Sequence, residues 1–237
     1  MPLLSRYYPG NYSEEQFELE KRIVRHSLFV SCSLVIILWL VRIIETEFQF
    51  DFTTWGILPL TTKGLWGILY SPLIHASFEH LIANTFPLFI LTFSLFFFYR
   101  KFSYLIFILI YLLSGLFVWL AGREAWHIGA SGVIYGLAAF LFMSGIISYN
   151  IRLLTISMIV ALVYGGMIWG IFPIKPEISW ESHLWGGVSG FGLAILFGKS
   201  ASSDRSRQEE EEEDLEEDQE EENNPQPEEQ EAPEDNN

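Results

Sequence analysis

The sequence predicts an all-α membrane protein in which six apolar helices cross a bilayer and an acidic tail follows them. Three observations carry that reading. Half of the 237 residues are apolar, and they gather in six stretches, each close to the roughly 20 residues needed to cross a hydrocarbon core of about 30 Å. No Asp, Glu, Lys or Arg lies in the middle of any stretch. Charge is segregated: residues 199–237 hold 18 of the 29 acidic residues against three of the 14 basic ones, which is the whole net charge of −15.

In chain order, residues 1–25 form a mixed-charge N-terminal segment, and residues 26–198 form the membrane domain. The first span, near 26–44, ends in Val41-Arg42-Ile43-Ile44 without a small-residue cleavage site, so it reads as a retained span rather than a signal peptide. Its lone thiol, Cys32, has no partner cysteine and is expected to be a small buried apolar side chain. Between Glu45 and Glu79 runs a long external loop, whose apolar patches, Trp55 to Leu60 and Leu65 to Tyr70, suit the membrane interface; connections of that length are often functional. The remaining spans lie near 80–98, 102–121, 131–147, 153–172 and 182–198. Residues 199–237, with EEEEEDLEEDQEEE at their centre, cannot bury enough surface to offset chain entropy and are expected to be disordered, a solvating or interaction segment.

Lys and Arg orient the array, because cytoplasmic loops carry the excess of positive charge. With the N-terminus inside, ten basic residues fall on the inner side and only Arg42, Lys63, Arg123 and Lys175 on the outer side. Both termini are therefore expected in the cytoplasm. The lack of mid-membrane charge argues against a proton pump, an ion-coupled carrier or an aspartyl protease with two buried carboxylates. Among the polar residues of the apolar stretches, His80, Asn84, Ser131 and His183 stand out, each in the first turn or two of the second, fourth or sixth span. All three of these spans run from outside to inside.

Helical spacing sharpens this convergence. His80 and Asn84 share a face at i, i+4, as do Ser131 and Tyr135. Gly132 and Gly136 make one stripe of small residues, and His183, Gly186 or Gly187, and Gly190 make another; such stripes let membrane helices approach closely. Any one of these features has an ordinary explanation in packing. Together they bring Ser131 against His183. Serine needs an adjacent base to accept its proton, and the tetrahedral oxyanion that follows needs fixed donors, for which His80, the Asn84 amide and the Ser131 backbone N–H are candidates. No carboxylate is placed to complete a triad, since Glu181 is only two residues from His183.

Residues 20–198 resemble the rhomboid family of intramembrane serine proteases. Three motifs carry the resemblance: HASFEHLIAN with His75, His80 and Asn84; GASG with Gly129, Ser131 and Gly132, followed by Tyr135; and HLWGGVSG with His183, Gly186 and Gly190. The resemblance implies a six-helix bundle, a Ser131–His183 dyad with His183 stacked on Tyr135, oxyanion stabilisation by His80 and Asn84, and supporting roles for His75 and the glycines. It also implies single-pass membrane-protein substrates with small residues near the cut, in the cell membrane. One departure stands out: the family's Trp-Arg pair in the first external loop is Trp66-Gly67 here. Gly67→Arg would restore it. No cofactor is called for, and metal catalysis is improbable without His-Glu-x-x-His and with His75 and His80 five apart. The acidic tail would repel nucleic acid. The rival readings are a silent relative that holds clients without cutting them, a small-solute channel or carrier, and a protease of this fold weakened by the missing arginine at position 67; the intact Ser-His pair counts against the first, and the absence of mid-membrane charge and of paired broken helices against the second. His127 is expected to be an exposed loop residue.

Overall fold

The computed structural model describes residues 14–149, 151–163, 170, 172 and 179–199. Most of the tail, the first half of the N-terminal segment and much of the second half of the fifth span lie outside these residues. The described chain forms seven α-helices: α1 Glu14–Glu47, α2 Thr62–Tyr70, α3 Phe78–Phe98, α4 Ser103–Ala121, α5 Ser131–Ile147, α6 Ile151–Val163 and α7 Trp180–Phe197. α1, α3 and α4 are long and apolar enough to cross a membrane, and α5 is a shorter apolar helix. The protein is a helical multi-pass membrane protein.

α5 is the centre. Its side chains are buried almost all round, from Ser131 to Gly145, as expected of a helix apolar on every face. α7 packs against it most extensively, α4 and α6 flank it, α3 joins them, and α1 lies outside on α3. Small residues permit the α5–α7 approach: a Cβ on Gly186 would fall on the Gly132 carbonyl oxygen, and one on Gly190 on the Gly136 carbonyl oxygen. Gly187, the alternative stripe position, faces open space.

The helices alternate in direction. Arg42 lies over the Phe78 ring, joining the end of α1 to the start of α3, while at the opposite end the Tyr99 hydroxyl donates to the Gly198 carbonyl at 3.2 Å. The starts of α3, α5 and α7 thus share one end of the bundle.

Several expectations need correction. α1 is 34 residues long, about 51 Å at 1.5 Å per residue, so its charged first turns project well beyond the expected span. Cys32 is exposed on α1 rather than buried; α1 touches the bundle mainly through α3, and most of its surface faces outward. The external loop contains a helix, α2, begun by Thr61, whose hydroxyl accepts from Gly64 N–H at 3.0 Å. There Trp66 is exposed, and a row of rings from Phe48 through Phe50, Phe52 and Trp55 to Tyr70 runs at centroid spacings of 5.6–5.7 Å. Gly67 has no room for the family's arginine, because a Cβ there would fall on the Gly56 carbonyl.

Candidate active site

α3 starts where Ser77 caps it, its hydroxyl accepting from His80 N–H at 3.2 Å. That cap places His80 in the first turn and Asn84 one turn further along the same face. α5 starts at Ser131 after Gly129, whose φ of +107° suits glycine. A side chain at Gly129 would also strike the His80 ring, coming within 2.7 Å of Cε1 and 3.0 Å of Nε2. The imidazole of His80 is therefore pressed against the turn that opens α5.

At the start of α7, His183 meets Ser131: Nε2 is 2.8 Å from the serine Oγ, and both side chains are 8% exposed. The other ring nitrogen, Nδ1, is 2.8 Å from the Gly170 carbonyl oxygen. A carbonyl only accepts, so Nδ1 carries the hydrogen and Nε2 turns its lone pair to Ser131. The ring also stacks on Tyr135, with centroids 4.2 Å apart and planes within 5°. Gly170 had no sequence signal, since a main-chain acceptor can come from any residue. Its glycine does have a reason: a Cβ there would collide with the Tyr135 hydroxyl.

Candidate donors for a developing negative charge lie at the start of α5 and on α3. Ser131 is the first residue of α5, where backbone N–H groups have no intrahelical partner and the helix dipole favours negative charge. Asn84 is buried, and among the described residues its Nδ2 meets no hydrogen-bond acceptor. His75, fully buried, meets the His80 ring edge-on at 5.0 Å. Burial is the main cause that pushes the His75 imidazole down to about 3, so it is a neutral prop behind His80.

His127 is not the exposed loop residue the sequence suggests. It is 1% exposed, and its main chain pairs with that of Ile57 in both directions at 2.9 Å. Glu181, also buried, lies 3.5 Å from Arg123 rather than orienting His183. The structure thus brings Ser131, His183 and Tyr135 together, packs Gly186 on Gly132 and, further along the two helices, Gly190 on Gly136, and sets His80 against Gly129 with His75 alongside; Asn84 lies one turn beyond His80 on α3.

A family model described as Rhomboid domain matches residues 62–200. An uncharacterized protein of Mycobacterium tuberculosis is 36% identical over 173 residues, covering 69% of this chain and 72% of its own. One of Mycobacterium leprae is 33% identical over 172 residues, covering 68% and 67%. A protein of Acanthamoeba polyphaga mimivirus, provisionally named as a rhomboid protein, is 32% identical over 131 residues, covering 52% of this chain and 70% of its own. The chain belongs to the rhomboid family.

Proposed function

We propose that this rhomboid-family protein is an intramembrane serine endopeptidase that cuts single-pass membrane proteins near the outer face of the cell membrane. One observation carries the reading: the 2.8 Å contact between Ser131 Oγ and His183 Nε2, with the Gly170 carbonyl fixing the ring's tautomer. In this reading residues 26–198 make six spans, both termini are cytoplasmic, and residues 199–237 are a solvated tail. α5 has 17 residues, so it is about 25 Å long, shorter than a hydrocarbon core of about 30 Å. Ser131 can then sit below the outer surface, where a spanning substrate presents its peptide bonds.

In this reading the reaction runs through Ser131 and His183. Ser131 Oγ attacks the scissile carbonyl carbon while His183 Nε2 takes the hydroxyl proton. The resulting oxyanion is met by the Ser131 N–H, Asn84 Nδ2 and the His80 ring. The imidazolium is stabilised by the Gly170 carbonyl at Nδ1–H and by the face of Tyr135. His183 passes its proton to the leaving nitrogen, the C–N bond breaks, and an ester to Ser131 remains. Water attacks that ester, His183 accepts its proton, and collapse returns the proton to Ser131 and frees the new carboxylate end. The neutral acceptor on Nδ1 has a rationale, because an anion buried there would carry a large desolvation cost.

Reaction of the purified protein with a serine-directed fluorophosphonate tests this reading. The wild type is expected to label, and Ser131→Ala and His183→Ala are not. An unlabelled wild type, or labelling that survives Ser131→Ala, would overturn it.

A further inference from the structure

Close to the start of α5 lies a further buried imidazole that the chemistry above does not use. His127 sits four residues before Ser131, in the segment that leads into α5. Its Nε2 is 3.1 Å from the Arg123 carbonyl oxygen, and its Nδ1 is 2.6 Å from Ser179 Oγ. Ser179 Oγ is in turn 2.6 Å from Ser182 Oγ. Ser179 directly precedes α7, and Ser182 directly precedes His183.

With His127 neutral, one fixed acceptor sets the direction of this chain. The Arg123 carbonyl can only accept, so Nε2 of neutral His127 carries the hydrogen and Nδ1 is the acceptor. Ser179 must then donate to Nδ1, and Ser182 must donate to Ser179. The result is a one-way chain of hydrogen bonds from the first turn of α7 into the loop before α5. Burial is the main influence lowering the His127 imidazole; the Arg123 carbonyl and Glu181 favour its protonated form, and the charge of Arg123 opposes it. The chain also lies against the α5–α7 contact, since a Cβ on Gly132 would come within 3.2 Å of the Ser182 carbonyl oxygen and 3.5 Å of its Cβ.

We propose that His127 is a positioning residue: through Ser179 and Ser182 it fixes the first turn of α7 on α5 and so holds His183 in reach of Ser131. The glycine stripes set how closely α7 approaches α5, and the chain through His127 adds directional hydrogen bonds at the start of α7. His127 is tied at the same time to the external loop through its main-chain pairing with Ile57. It therefore joins three segments that are far apart in sequence.

This inference rests on the protease reading, and amide substitutions at His127 test it. His127→Asn puts its Oδ1 where Nδ1 was and can still accept from Ser179. His127→Gln reaches the Nε2 position instead, keeping the Arg123 contact and losing Ser179. The readouts are the second-order rate of fluorophosphonate labelling, which needs no substrate binding, and the thermal unfolding temperature in detergent. His127→Gln is expected to label about 10- to 100-fold more slowly, the size of loss a small misplacement of reacting groups produces, while unfolding within a few degrees of His127→Asn. His127→Asn is expected to stay within about threefold of wild type, because orientation is preserved. Ser179→Ala should be slow as well, and the double variant Ser179→Ala, His127→Gln no slower than either single one. Equal rates for the Asn and Gln variants, or losses that multiply in the double variant, would overturn the positioning role while a labelled wild type keeps the protease reading intact. An unlabelled wild type would overturn both.

Discussion

Gly186 rests on the main chain of Gly132, so close that a Cβ would fall on the Gly132 carbonyl oxygen, and the obstacle is backbone rather than a movable side chain. Three residues before Gly186 stands His183, and one residue before Gly132 stands Ser131. Contact between these glycines thus sets how near the imidazole and the hydroxyl can come. Gly186→Ala should push α7 away from α5. Overpacking of this kind costs about 1–3 kcal/mol, and the loss of labelling should exceed the loss of folded protein. Gly187→Ala, which meets nothing within 4 Å, should leave both unchanged. Thermal unfolding and fluorophosphonate labelling of the two variants check the contrast.

The Asn84 amide, which has no acceptor among the described residues, is expected to act on the transition state rather than on the nucleophile. Asn84→Ala should lower kcat for peptide cleavage by about 10² to 10³, the usual cost of losing one oxyanion donor. KM should change little, because the donor is engaged only when negative charge develops. Cleavage of a membrane-embedded substrate in liposomes measures both constants. A rise in KM at constant kcat would assign Asn84 to substrate binding instead.

Stacking of His183 on Tyr135 can be separated from the tyrosine hydroxyl. Tyr135→Phe keeps the ring and should keep activity within about threefold, while Tyr135→Leu should lose on the order of 3- to 10-fold beyond any loss of folded protein, as an aromatic contact of about 0.5–1.5 kcal/mol implies. Single-turnover cleavage rates check it.

The parts legible in the sequence are those fixed by apolarity and helical period. α3, α4, α5 and α7 begin and end within about two residues of their expected limits, because an apolar segment in a bilayer must satisfy its own backbone as a helix. The approach of α5 to α7 was legible as well, because glycine stripes have one main structural use in such helices. Contacts made by the main chain were not. The Gly170 carbonyl leaves no trace in residue identity, and the burial of His127 arises when Ile57, 70 positions earlier, pairs with it. Cys32 misled for another reason: in a bilayer the outside of a peripheral helix is as apolar as a core, so hydrophobicity does not tell which way a small side chain faces.

Gly67→Arg, which would recreate the family's Trp-Arg pair, is expected to damage this protein. Gly67 packs on Gly56, and Gly64 likewise packs on Leu58, whose main chain a Cβ would strike. An arginine at 67 would part α2 from the segment before it. Unfolding in detergent should come earlier by several degrees, as a cost of about 1–3 kcal/mol implies, and cleavage in liposomes should fall. Higher activity would mean that the loop opens readily and that the missing arginine, not the glycine packing, governs this surface.

Stability should fall as the medium is acidified, and His75 is a principal cause. Burial, reinforced by charge on His80 and by Arg42 and opposed by the Leu73 main chain, holds the folded His75 at about 3, against an ordinary 6.5. Between these two values the unfolded chain binds a proton that the folded chain does not. Stability therefore rises with pH across that window, is fully present above about 6.5, and is lost progressively as pH drops toward 3. His127, also lowered chiefly by burial, contributes in the same direction. The unfolding temperature in detergent should accordingly be lower at about pH 5 than at about pH 7.5. His75→Gln, which cannot titrate, should flatten part of that decline at the expense of some stability at the higher pH. A variant whose unfolding temperature declines as steeply as the wild type's would remove His75 as the cause.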